Sequence, residues 1–188
     1  MEIMVNGFSK SIARWEIKKA TELFGDLVLD ARRIRSTVVA IDIRKMPKFK
    51  TERGMHVFQG YCFPVVSKKK PKKFVILLNN DMTKRETIKT LAHEMVHVRQ
   101  MRLNILQGMG KKRHRWFGRI VDENEEEYHK LPWESEAMLC EEPMYQHYRQ
   151  CMKKTNGPAR PNHENPNQSS QRHLRAGAKL KDRRLRGL

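Results

Sequence analysis

The chain has 188 residues, of which 38% are hydrophobic and 32% charged, with a formal net charge of +18 at pH 7. This length suits one domain with an extension, and the charge favours nucleic acid or acidic proteins as partners without bearing on fold. No stretch approaches the roughly 18 apolar residues of a membrane span, and three cysteines without a C-x-x-C spacing exclude a disulfide framework and a zinc ribbon.

The N-terminus, Met1 to Asn6, lacks the basic and apolar regions of a secretory signal. With the reducing compartment implied by the cysteines, a cytoplasmic protein is expected. Ser9 or Ser11 can cap a first helix with Ile12, Trp15, Ile17, Ala20, Leu23 and Phe24 as its apolar positions and Gly25 at its end. Thr37 to Ile43 is β-branched and predicts a strand. Met55 to Phe63 predicts a second strand and Phe74 to Leu78 a third. The basic connection Ser67 to Lys73 between these two suggests an antiparallel hairpin.

Asn79-Asn80-Asp81 then reads as a turn. Thr83-Lys84-Arg85-Glu86 fits a capping box, and Ile88, Leu91, Ala92, Met95 and Val96 recur at helical spacing, so a helix is predicted from about Lys84 to about Ile105. Gly108-Met109-Gly110 reads as a breaker, Arg115 to Val121 as a strand or extended arm, and Asp122 to Glu127 as an acidic loop. Pro132 suits the first turn of a last helix, Trp133 to about Met152, with Pro143 able to kink it. The composition divides the chain into a domain, 1–152, and a basic, turn-rich tail, 153–188, predicted to be disordered. That tail holds ten Lys/Arg against two Asp/Glu.

Within the central helix stands His93-Glu94-Met95-Val96-His97, an H-E-x-x-H string. Residues four apart share a helix face, so both imidazoles can bind one metal ion, with Glu94 placed as general base toward a metal-activated water. A hydrolytic zinc site takes three protein ligands and keeps an open position. Glu134 leads as the third ligand, because Ala137 lies one turn later on its face and allows close helix approach. Glu136 and His114 are the alternatives; Glu136 points about 200° away round the helix from Glu134. The metzincin pattern fails, because Gln100 and Leu103 occupy the positions of its Gly and third His. Nine Asp/Glu against one Lys/Arg from Asp122 to Glu142 suit either a divalent cation or a solvated face.

Leu91 to Gln100, then Trp116-Phe117-Gly118, then Pro132-Trp133-Glu134-Ser135-Glu136-Ala137 together resemble the phage-encoded SprT-like zinc metallopeptidases, over about residues 72 to 150. The resemblance implies an α+β, minimal zincin-like domain of the gluzincin kind. It would have an N-terminal helix, a small, mostly antiparallel sheet, the H-E-x-x-H helix and a ligand-bearing C-terminal helix. It also implies Zn²⁺ on His93, His97 and Glu134, with Glu134 and Ala137 in an E-x-x-A pattern. The Asp that gluzincins often place after the small residue is Met138 here.

The expected function is zinc-dependent hydrolysis of peptide bonds in a protein substrate, with Glu94 catalytic, in the host cytoplasm or associated with a virion. The Phe74 to Leu78 strand is expected to take the substrate by β-addition, and Tyr128, His129, Tyr145 and Tyr148 are candidate oxyanion donors. Lys68, Lys69, Lys70, Lys72, Lys73, Lys111, Lys112 and Arg113 are candidate nucleic-acid contacts, and with the tail they would recruit the enzyme to DNA or a virion. The alternative is a basic nucleic-acid-binding or virion structural protein whose zinc site is vestigial.

Overall fold

The computed structural model describes residues 1–51, 54–66 and 70–155. Lys68, Lys69 and the tail from residue 156 lie outside the described residues. The element order is β1 (Glu2–Gly7), α1 (Arg14–Val28), α2 (Ala31–Arg35), β2 (Val38–Arg44), β3 (Lys48–Thr51), β4 (Gly54–Val57), β5 (Gly60–Pro64), β6 (Lys73–Asn79), α3 (Lys84–Arg102), β7 (Leu106–Gly110), β8 (Arg113–Trp116), β9 (Arg119–Asp122), a 3-10 turn (Tyr128–Lys130) and α4 (Pro132–Thr155).

The class is α+β. The main sheet has the order β1-β2-β6-β5. β1 and β6 run parallel to β2, and β5 closes an antiparallel edge on β6. The two small sheets, β3-β4 and β7-β8-β9, are antiparallel, so antiparallel pairings predominate among the described strands. β2 and β6 alternate buried and half-buried residues. That alternation sends Val39, Ile41, Ile43, Phe74, Ile76 and Leu78 to one face, where they join Ile17, Ala20 and Phe24 of α1 and Ile88, Leu91 and Met95 of α3 in the core.

α3 forms where its signals place it. Thr83 and Glu86 make the reciprocal capping box that satisfies two free N–H groups of the first turn. Most of the helix is buried, including His93, Glu94 and His97. It ends at Arg102 rather than near Ile105, followed by Asn104 in the left-handed region.

Several expectations need correction. α1 is capped by neither serine; its N-cap is Ala13, without a side-chain cap. Gly25 lies inside α1 rather than at its end, and a Cβ there would stand 2.5 Å from Cε of Met1. That glycine serves close packing. The predicted Met55–Phe63 strand is two strands, of which only β5 pairs with β6. Gly108 to Gly110 belongs to β7 rather than to a break between elements, and the pairing with β8 shifts register between Gly108 and Gly110. Arg115 to Val121 is not one strand, because Phe117 and Gly118 take φ of 47° and 85° and form the two-residue turn between β8 and β9. Pro143 sits inside α4, which continues through it. β1 and α2 add to the elements that the sequence predicts.

Met1–Cys151 form one compact unit; the second unit, Met152–Leu188, is described only through the final turn of α4. Among the described residues no helix is long and apolar enough to cross a membrane.

Candidate metal centre

Three side chains from two helices converge. Nε2 of His93 lies 3.0 Å from Nε2 of His97 and 3.1 Å from Oε2 of Glu134. Nε2 of His97 lies 3.5 Å from the same carboxylate oxygen. All three residues are buried, and their ligand atoms are grouped as a metal ion requires. Four-coordinate zinc with bonds of about 2.0–2.1 Å sets its donors about 3.3 Å apart. The observed separations bracket that value.

The other ring nitrogens explain why these donors face inward. Nδ1 of His93 is 3.0 Å from Oε1 of Glu141. Nδ1 of His97 is 2.8 Å from Oε1 of Gln100. Gln100 has both amide hydrogens committed, one to the Trp133 carbonyl at 2.9 Å and one to Oε2 of Glu136 at 2.8 Å. Its Oε1 can therefore only accept, and the hydrogen belongs to Nδ1 of His97. Glu141 accepts from His93 in the same sense. With each ring neutral, the two Nε2 atoms are bare lone pairs facing each other across 3.0 Å. That arrangement is repulsive unless a cation lies between them, and the donor set of two imidazoles and a carboxylate fits a divalent metal.

Without a metal, the cluster captures a proton. Burial opposes charge on His93, but the carboxylates of Glu134 and Glu141 overcome it and raise its pKa to about 10. His97 is raised by Glu134 against the same burial. Glu134 is lowered to about 2, because hydrogen bonds from both histidines outweigh its burial.

Glu94 is 5% exposed and makes no bond to the other three. Burial raises its carboxyl to about 7, against the pull of His97 and His93. A carboxyl poised there is suited to proton transfer near neutrality.

The remaining candidates separate clearly. Glu136 faces away from the histidines, accepting from Arg99 at 2.8 Å and from Gln100. His114 stacks on Trp133 with ring centroids 4.8 Å apart and pairs with Glu123 at 2.6 Å. Neither is brought to the cluster. Tyr128 belongs to the 3-10 turn and is largely exposed, and partial burial with the neighbouring Glu134 carboxylate pushes its pKa up. Tyr148 bonds Glu16 at 3.3 Å, Tyr145 lies under Arg85 and Arg149, and His129 pairs with Glu127. Lys70, Lys72, Lys73, Lys111, Lys112 and Arg113 are all exposed.

Sequence reasoning missed Glu141 and Gln100. Both were within reach of helical periodicity: Glu141 lies seven residues after Glu134, and Gln100 three after His97, each on the same face. It also chose the wrong edge. β6 is flanked by β2 and β5, so Phe74 to Leu78 has no free edge for a substrate strand. β5 has one. On either side of β5, the Gln59 carbonyl accepts from Asn79 N–H and the Val65 N–H donates to the Lys73 carbonyl, each at 2.9 Å. By the alternation of an antiparallel ladder, Gly60 and Cys62 turn their N–H and C=O outward, and Pro64 turns its C=O.

Comparison with protein-family models, with curated proteins and with solved structures gave no match.

Proposed function

We propose that this chain is a zinc-dependent metallopeptidase that cleaves extended segments of protein substrates, in keeping with its resemblance to the phage-encoded SprT-like enzymes. The observation that carries the reading is the convergence of His93, His97 and Glu134 beside a fourth, unliganding carboxylate, Glu94. A purely structural zinc site is closed by four protein ligands, whereas this group supplies three and has a buried carboxylate beside it. Bound to this trio, Zn²⁺ supplies Lewis acidity for a carbonyl oxygen and brings a water toward ionisation near pH 7.

The residues divide the work. Glu94 takes the proton of the attacking water and delivers it to the leaving amine. Gln100 and Glu141 hold the two rings in the tautomer that presents Nε2. Tyr128 offers a hydroxyl beside Glu134 for the carbonyl oxygen as it gains charge. The outward groups of Gly60 and Cys62 pair with the backbone of an extended peptide, which then runs past Glu94.

The exposed cations Lys111, Lys112 and Arg113 at the β7–β8 turn, within a chain of net charge +18, favour recruitment to DNA or to a virion. That role is compatible with the peptidase reading; as the sole function it would leave Glu94 without a purpose.

The test is cleavage of an unfolded basic protein by zinc-loaded wild type and by Glu94→Gln. Cleavage by the wild type alone, with equal zinc in both, is expected. Zinc-loaded wild type that cleaves nothing, or a Glu94→Gln variant that cleaves as well, removes the proposal.

A further inference from the structure

Among the glycines, Gly60 stands apart. It opens β5 at the point where that strand meets α3. A Cβ placed there would lie 2.5 Å from Cγ2 of Thr90, 2.7 Å from Oε1 of Glu94 and 3.2 Å from Cγ of Glu94. The backbone of Gly60 is not in the left-handed region, so conformation does not demand glycine. Space does. Thr90 precedes Glu94 by one helical turn, and its methyl belongs to a β-branched side chain that a helix holds stiffly. Both residues are buried, at 8% and 5% exposure, so neither can swing into solvent without leaving the site.

The position matters twice. Gly60 is one of the residues whose N–H and C=O face the open edge of the sheet. The same atom that would crowd the glutamate is therefore missing from the residue nearest to a paired strand. We propose that Gly60 is a positioning residue for Glu94: its bare Cα is the wall against which the carboxylate is set, and it lets β5 approach α3 closely enough for a bound strand to meet that carboxylate. The proposal rests on the reading of Glu94 as the general base. It does not require Gly60 to touch the metal ligands, none of which is among its near neighbours.

The experiment uses the full chain loaded with cobalt, and acetohydroxamate as the probe of the space beside Glu94. The variants are Gly60→Ala, and Gly60→Ala combined with Thr90→Ser, which removes the methyl at 2.5 Å and leaves only the crowding of Glu94. The second variant decides the matter if the first does not fold. Thr90→Ser alone is the control. Cobalt content and affinity should match wild type in all of them. Acetohydroxamate binding, followed in the visible spectrum, should weaken about tenfold and kcat should fall about 100-fold with KM changed less than about threefold, the scale of a misplaced catalytic group. In a Glu94→Gln background, Gly60→Ala should have no further effect on acetohydroxamate binding, because the two changes act through one side chain. Unchanged acetohydroxamate binding in folded, cobalt-loaded Gly60→Ala/Thr90→Ser, or additivity with Glu94→Gln, overturns the proposal. A wild type that binds cobalt and acetohydroxamate but cleaves no protein sinks the peptidase reading, and the acetohydroxamate comparisons still decide Gly60.

Discussion

Gln100 Oε1 accepts the Nδ1 hydrogen of His97 at 2.8 Å, and Gln100 has no other role open to it because its own two hydrogens are spent on Trp133 and Glu136. One fully buried amide thus decides which nitrogen of His97 points at the centre. Gln100→Ala should weaken zinc binding by about 10–100-fold, the usual effect of losing a partner of a metal-binding histidine. It should also cost about 2–4 kcal/mol of stability, since two buried polar groups, Nδ1 of His97 and the Trp133 carbonyl, lose their partner. Competition with a chromophoric chelator and urea denaturation check the two effects. Zinc affinity equal to wild type would show that His97 is oriented by something else.

The three candidate carboxylate or imidazole ligands can be told apart by metal content. Glu134→Ala should lose stoichiometric zinc. Glu136→Ala should keep it with affinity reduced less than about tenfold, because it touches the site only through Gln100. His114→Ala should keep it unchanged, since its partners are Glu123 and Trp133. Zinc retained by Glu134→Ala would reassign the third ligand.

Metal-free protein should lose stability as pH rises from about 5 to 9. His93 is held at about 10 against 6.5, so its contribution is complete below pH 6.5 and gone above 10. Glu94, raised from 4.5 to about 7, adds a penalty absent below pH 4.5 and complete above 7. In both cases the folded state holds more protons, and stability falls with pH. Glu134 acts at the opposite end: lowered to about 2, it stabilises above pH 4.5 and fails as the pH falls toward 2. Zinc must displace these protons, so its affinity should rise with pH, about tenfold per unit for each proton expelled. Urea midpoints at several pH values, with chelator and with zinc, measure this. A metal-free midpoint that climbs between pH 5 and 9 contradicts it.

The same penalty gives Glu94→Gln a signature in the absence of any substrate. The amide fills the space of the carboxyl without ionising. At pH 8 the metal-free variant should be more stable than wild type by about 1–3 kcal/mol, and at pH 4.5 no more stable. Thermal melts at the two pH values distinguish this from a general effect on packing, which would appear at both.

Tyr128→Phe removes a hydroxyl that interacts electrostatically with Glu134 but is no ligand atom. Zinc should stay bound, and kcat should fall about 10–100-fold with little change in KM. A large rise in KM at constant kcat would make Tyr128 a substrate-binding residue instead.

What could be read from the sequence was what is local. The capping box at Thr83, the stripe beginning at Ile88 and the paired histidines all lie within one helix, and each follows from residues a turn or two apart. Glu134 was legible for a related reason, since Ala137 shared its face. Glu141 and Gln100 lay on those same faces, yet their chemistry stays silent until the two helices oppose each other. The sheet was harder. β1 pairs in parallel with β2, a strand that follows it only after two helices, and nothing in Glu2 to Gly7 announces that partner. Gly25 and Gly60 look like punctuation in the sequence, but each is glycine because a distant side chain occupies the place of its Cβ.

His93 and Glu134 are 41 residues apart, on α3 and α4, with the β7-β8-β9 meander between them. During synthesis the histidine pair emerges well before the carboxylate does. Until α4 docks, a nascent chain carries two imidazoles but no complete centre, so a free metal ion has little to hold. For the proposed metal centre, capture of the ion and docking of the last helix would then be one event. The apo protein is then the state in which α4 should loosen first, and metal supply would govern how long the chain survives proteolysis in the cell.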